Sequence, residues 1–272
     1  MKISLITVCY NSEATIKDTF DSVLNQTYNN IEYIIVDGGS HDSTINIIKE
    51  YIPLFENKGI VVQFKSEKDD GILDAMNKGI AKSTGDIIGI INSDDVICDK
   101  NALKKIAYRF EQDKCDVTYS DIYLMDYKTL SRPNRIFIAG KNNYKLGWYP
   151  PHPSLYVKKE IYDKYGLYDT KYKIAGDYDF MLRIMRNDVK MSYIKEPLIF
   201  MRVGGISTNS FKAYKKSFNE SVEVLKKNEI RFAILVNILR TFVIIKQRIM
   251  GIFRIKYTLN ILENNYSSAQ IL

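Results

Sequence analysis

A chain of 272 residues, 46% of them hydrophobic, is long enough to bury one large α/β core and carry an appendage. No run approaches the about 20 apolar residues of a spanning helix, and Met1-Lys2 leads straight into a strand pattern, so neither an integral membrane protein nor a signal peptide is expected. The net charge of +7 is compatible with nucleic acid, but no recognition motif accompanies it, and that partner is not expected either.

In chain order, Lys2 to Val8 reads as an apolar strand that ends at Cys9-Tyr10-Asn11-Ser12. Ser12 or Asn11 is placed to cap a helix running to about Gln26, with Glu13 in its first turn. A strand over 31–36 follows, then a helix over about 43–57, a strand over 60–64, a short helix over 75–81 and a strand over 87–91. This alternation predicts an α/β fold with a doubly wound, mostly parallel central sheet flanked by helices. Cys9, Cys98 and Cys115 are odd in number and lack metal-ligand spacing, which points to a reducing cytoplasm.

Two of the strands run into acid. Ile34-Ile35-Val36 stops at Asp37-Gly38-Gly39-Ser40, and Ile87 to Ile91 stops at Asn92-Ser93-Asp94-Asp95. Unbroken apolar runs suit strands buried on both faces, and ligands of open α/β sheets bind beyond the carboxyl ends of such strands. Asp37, Asp94 and Asp95 are therefore expected on one rim. Crowded carboxylates need a cation or donors to hold them, and hard oxygen ligands suit Mg²⁺ or Mn²⁺ bridging to substrate phosphates. Taken singly, each segment is also good turn chemistry. Three such loops on one side of a sheet favour a nucleotide crevice.

The chain resembles glycosyltransferase family 2, with its GT-A fold. The resemblance rests on Thr7-Val8-Cys9-Tyr10-Asn11-Ser12, on Asp37 to Thr44, and on Asp69-Asp70-Gly71 through Asp74 to Gly79. It continues with Thr84-Gly85-Asp86, Asn92 to Asp95, His152-Pro153 and Ala175-Gly176-Asp177-Tyr178-Asp179. It covers about residues 1–210 in consistent order and implies an inverting, non-processive, metal-dependent transferase of hexosyl or N-acetylhexosaminyl groups. The donor would be a nucleotide diphosphate sugar, UDP-linked by analogy. The acceptor would be a glycan or lipid-linked sugar, in bacterial surface polysaccharide assembly. Residues 1–211 would form the transferase domain, about 1–115 as the nucleotide-sugar half and about 116–211 as the acceptor half.

The same resemblance implies residue roles. Thr7, Tyr10, Asn11 and Asp37 would serve the base and ribose, while Asp74, Asn77, Lys78 and Ser93 would lie along the nucleotide and diphosphate. Asp94 would meet Mn²⁺ or Mg²⁺ directly, with Asp95 assisting; Asn92 stands where the family carries its first acid. Asp177 matches the base that takes the acceptor proton, although Gly176 replaces the usual preceding Glu. Asp179, His152 and Trp148 would lie on the acceptor side, Trp148 against a sugar face or else over the core. Gly204-Gly205 offers a hinge for a closing loop. A degenerate transferase acting as a membrane-associated scaffold is the alternative, and a sugar-nucleotide nucleotidyltransferase a more distant one.

Residues 212–272 hold 11 Lys and Arg against 4 Glu, which is the whole excess of +7. Leu235, Ile238, Leu239, Phe242, Ile245, Ile249, Ile252 and Phe253 follow helical spacing, with Asn237, Arg240, Thr241, Gln247 and Arg248 on the opposite face. A basic amphipathic helix suits an anionic membrane surface. The protein would then sit peripherally at the inner face of the cell membrane. The other reading is a helix packed on its own domain or on a second copy, making a homodimer.

Overall fold

The computed structural model describes residues 1–126, 130, 133–141, 143–187, 189–203 and 211–265. The anticipated Gly204-Gly205 hinge lies outside them. The first half alternates as read: β1 (Ile3–Cys9), α1 (Ile16–Leu24), β2 (Ile31–Asp37), α2 (Thr44–Asn57), β3 (Val61–Ser66), α3 (Ile72–Lys82) and β4 (Ile87–Ile90). β1 pairs in parallel with β2 and β4, and β2 with β3.

Period-2 alternation divides these strands between two apolar layers. Ile3, Leu5, Tyr33, Ile35 and Ile87 pack with α1, α2 and α4 (Ala102–Asp113). Ile6, Val8, Ile34, Val36, Ile88 and Ile90 face α3 and the later helices. Helices on both faces are what makes these strands mostly apolar on both sides. One buried polar staple crosses them: Glu32 of β2 is bonded by Lys2, Ser4, Thr84 and the Gly85 amide. Burial alone would raise its pKa, but these donors outweigh burial and lower it to about 2.

The second half is mixed. It adds β5 (Val96–Ile97), α4, β6 (Val117–Met125), β7 (Pro133–Phe137), β8 (Tyr156–Lys158), α5 (Lys159–Tyr165), α6 (Gly176–Met185) and β9 (Met191–Arg202). The strand order is β3-β2-β1-β4-β8-β6-β9-β5, with β7 on β6. β8 is antiparallel to β4 and β6, whereas β6 and β9 are parallel. The sheet is thus wholly parallel from β3 to β4 and mixed beyond, where β6 and β9 form its other parallel pair.

Two helices follow, α7 (Phe211–Lys227) and α8 (Ala233–Asn265). Asn237, Arg240 and Gln247 of α8, read as the face opposite the apolar stripe, turn toward the domain: Asn237 donates to the Phe218 carbonyl and Gln247 to the Ile138 carbonyl. The apolar stripe is the outward face, with Phe242 63% and Phe253 69% exposed. An inner surface made of backbone carbonyls and tyrosines favours donors on the packed side.

Candidate active site

The loops after β1, β2, β3 and β4 are stitched into one rim. The Asn11 amide donates to Ser40 Oγ at 2.8 Å, and the Ser12 and Ser93 hydroxyls meet at 2.8 Å. Asn11 takes a left-handed φ of 48°, which Asn tolerates. Its side chain accepts from the His41 amide. Ser12 is spent on this rim rather than on capping: α1 begins later, after Thr15. A Cβ on Gly38 would fall 2.5 Å from Asp69 Oδ2, so the β2 and β3 loops are also in close approach.

The rim extends to the second half through α3. Asn77 forms a paired bracket with the Tyr168 backbone, donating to its carbonyl (2.9 Å) and accepting from its amide (3.0 Å). Lys173 Nζ donates to the Asp70 carbonyl at 3.1 Å. A Cβ on Gly176 would lie 2.2 Å from Leu73 Cδ1, so glycine lets the start of α6 close on the start of α3. A glutamate at 176 would have to displace Leu73. This accounts for the departure noted in the sequence and sets Asp177 beside the start of α3.

Asp94 and Asp95 differ in setting. Asp95 is buried and accepts from the Asn92 side-chain amide at 3.0 Å. Asn at 92 thereby supplies a donor where an acid would add a third negative charge. Burial raises the Asp94 pKa, and burial followed by the Asp94 charge raises that of Asp95 well above the carboxylate range. Arg202, at the end of β9, donates to the Asp94 carbonyl at 2.7 Å and pairs with Asp18. It lowers both carboxyl pKa values but does not overcome burial. Sequence reasoning missed this counter-charge, although a lone Arg closing an apolar strand was a usable signal. Two adjacent carboxylates past a strand end, Asp95 buried and Asp94 partly open, suit a divalent cation met chiefly by Asp94. Among the described residues no cluster of three or more His, Cys, Asp or Glu side chains surrounds them, so further ligands would come from substrate phosphates or water.

The remaining expected residues separate into open and enclosed. Tyr10 is 58% exposed, and Asp74 and Lys78 form a half-exposed ion pair at 3.0 Å. Thr7 is buried against the Tyr33 hydroxyl at 2.7 Å. Asp37 is also fully buried, taking the amides of Gly39 and Ser40 and the hydroxyls of Ser40 and Ser66. The Asp37 carboxylate is thus bonded within its own loop and to β3, and Asn77 and Ser93 are likewise engaged with protein. Trp148 is buried, donates to the Ala139 carbonyl at 2.9 Å and packs edge-on to Tyr119, which corrects the expected sugar-stacking role.

Of the residues expected to serve the acceptor, Asp177 is half-buried and accepts from the Tyr178 amide at 2.7 Å. His152 lies 3.0 Å from the Tyr168 hydroxyl; burial pushes its pKa down, opposed by the Asp177 charge, so its neutral form is favoured. Asp179 is wholly buried, held by Arg183, Lys227 and Asn228. Its expected place beside an acceptor is thus replaced by a structural one.

Residues 4–218 match the family model described as Glycosyl transferase family 2, and the chain belongs to that family. A PGL/p-HBAD biosynthesis glycosyltransferase of Mycobacterium bovis is 26% identical over 207 residues, covering 75% of this chain and 78% of that one. Among solved structures, S. aureus TarS 1-349 in complex with UDP-GlcNAc superposes with a TM-score of 0.65 at 20% identity, covering 83% of this chain and 67% of that one. The mannosyltransferase PcManGT of Pyrobaculum calidifontis, in complex with GDP-Man and Mn²⁺, gives 0.64 at 14% identity, over 98% and 81%. These likenesses establish a GT-A type fold.

Proposed function

We propose that the protein transfers one sugar from a nucleotide diphosphate sugar, UDP-linked in the first instance, to a hydroxyl of a glycan or lipid-linked acceptor, with inversion. The observation that carries this reading is the pair of adjacent carboxylates past the end of β4, Asp95 buried and Asp94 partly open, in the loop that Ser93 ties to Ser12. Mn²⁺ or Mg²⁺ held there, mainly by the more open Asp94, would offset charge developing on the leaving diphosphate. Tyr10, Asn11, Asp74 and Lys78 are exposed enough to meet the donor, while Thr7, Asp37, Asn77 and Ser93 shape the walls behind them.

Asp177 then takes the acceptor proton as that oxygen bonds to the anomeric carbon and the diphosphate departs. The nucleotide complexes of the two structural relatives, UDP-GlcNAc and GDP-Man with Mn²⁺, support a donor of this class. Asn92 and Gly176, the departures that favoured a degenerate scaffold, each have a packing reason.

The outward apolar stripe of α8, in the basic part of the chain, supports docking on an anionic membrane where a lipid-linked acceptor would lie. Bacterial surface polysaccharide assembly is a setting consistent with that. Among the described residues no helix is long and apolar enough to cross a membrane. Proton NMR of the linkage formed from UDP- and GDP-sugar donors tests the chemistry: inversion at the anomeric carbon is expected, and retention would overturn it.

A further inference from the structure

The last two helices reach the acceptor side from behind, at two points. The first is Glu220 of α7, whose side chain is 12% exposed. Its Oε2 accepts from three successive backbone amides, Lys173 (3.1 Å), Ile174 (2.8 Å) and Ala175 (3.0 Å). Consecutive N–H groups turned on one carboxylate make an anion-holding concavity. It sits directly ahead of α6, where negative charge also favours the helix start. Asp177 is the second residue of that helix.

The second point is Arg240 of α8. Its guanidinium lies 4.5 Å from the Tyr178 ring centre and 4.9 Å from that of Tyr149, two rings that are themselves 5.0 Å apart. It donates to the Ser221 hydroxyl at 2.6 Å and to the Tyr149 hydroxyl at 3.1 Å. Tyr178 adjoins Asp177, and Tyr149 opens the loop that carries His152. Gly147, at φ +83°, lets that loop approach: a Cβ there would be 2.7 Å from Arg240 Cβ. One cation therefore pins both segments that bear the acceptor-side groups, and Asp177 lies within its electrostatic reach.

We propose that Glu220 and Arg240 are positioning residues that hold Asp177 and the His152 loop in register for transfer, so that α7 and α8 complete the acceptor site. The proposal rests on the reading of Asp177 as base. Glu220→Gln can still offer one acceptor oxygen to the three amides, but it removes the negative charge ahead of α6 and puts an N–H₂ group where Oε1 accepts from the Lys173 amide. Arg240→Met keeps the stem but loses the charge and both hydroxyl bonds, and Arg240→Lys restores the charge alone.

The test compares these full-length variants with Asp177→Asn in steady-state transfer, nucleotide binding and thermal melting. For Glu220→Gln and Arg240→Met we expect kcat to fall by about 10²-fold, as ångström-scale misplacement does. The donor KM and nucleotide Kd should stay near wild type, and Arg240→Lys should recover part of the loss. A role confined to stability would instead lower melting temperature and nucleotide binding together. That outcome, or unchanged kcat in folded Arg240→Met while Asp177→Asn is inactive, overturns this proposal and leaves the base reading standing. Full transfer by Asp177→Asn would remove both.

Discussion

Asp177 and Asp179 stand two residues apart on one helix, and the structure separates them by kind of effect. Asp179 has no exposed side-chain surface and is held by Arg183 Nε at 3.1 Å, Lys227 Nζ at 3.1 Å and Asn228 Nδ2 at 3.2 Å. Breaking one member of a buried ion pair costs about 3–5 kcal/mol. Here Arg183 and Lys227 are 21% and 37% exposed and regain hydration, and the amide introduced by Asp179→Asn would keep an acceptor oxygen. The cost of that substitution is therefore set at about 2–3 kcal/mol, just below that range. For a domain of this size that is a melting temperature lower by about 5–10 °C. Transfer measured well below the transition should persist.

Asp177→Asn should do the reverse. Its carboxylate is half-open and among the described residues bonds only the neighbouring amide, so melting should hardly move. Transfer should drop by about 10²–10⁴-fold, the usual contribution of a general base. Differential scanning fluorimetry beside steady-state transfer reads both. An Asp179→Asn protein of wild-type stability with transfer abolished would show that the base has been assigned to the wrong carboxylate.

The Glu32 staple makes a pH prediction. Its folded pKa of about 2 lies below the ordinary 4.5, so its stabilisation is present above pH 4.5 and is lost as pH falls toward 2. The gap is worth about 3 kcal/mol at neutral pH, and the urea-unfolding difference between wild type and Glu32→Gln should shrink to about 2 kcal/mol at pH 3.5; a difference independent of pH would refute the linkage. The membrane reading predicts that Phe242→Ser with Phe253→Ser weakens sedimentation with anionic liposomes while leaving transfer to a soluble acceptor intact. If the wild type ignores liposomes at low salt and its mass in solution is that of a dimer, the stripe is an interface between copies. Point changes are the cleaner probe, because deletion from Lys227 onward would also remove the contacts of Asn228 and Arg240. At the acid pair, Asp94→Ala should weaken Mn²⁺-dependent nucleotide binding in calorimetry, and unchanged binding would exclude its role as the open ligand.

The first half of the fold was legible because β1, β2 and β4 are mostly apolar, fully buried runs closed by turn chemistry. β9 was not read at its full length. Lys195, Glu196 and Pro197 interrupt its apolar pattern where the pairing register with β6 shifts. The acids on the rim were visible as strand-end residues, but which of them face a ligand was not. Asp37 and Asp179 look as available as Asp94 and Asp177 in sequence, and only donors from distant segments show that they are internally satisfied. Arg240 was hidden for a related reason. Its helical spacing correctly set it opposite the apolar stripe, but periodicity cannot say which face of a helix meets the domain.

The most direct test of the account is release of nucleoside diphosphate from a panel of UDP- and GDP-sugars by the full-length protein with a glycan acceptor, with and without Mn²⁺ or Mg²⁺. The account predicts release from at least one donor that rises with acceptor, collapses in chelator and is nearly abolished by Asp94→Ala. Full release in chelator, with Asp94→Ala as active as wild type, would contradict it.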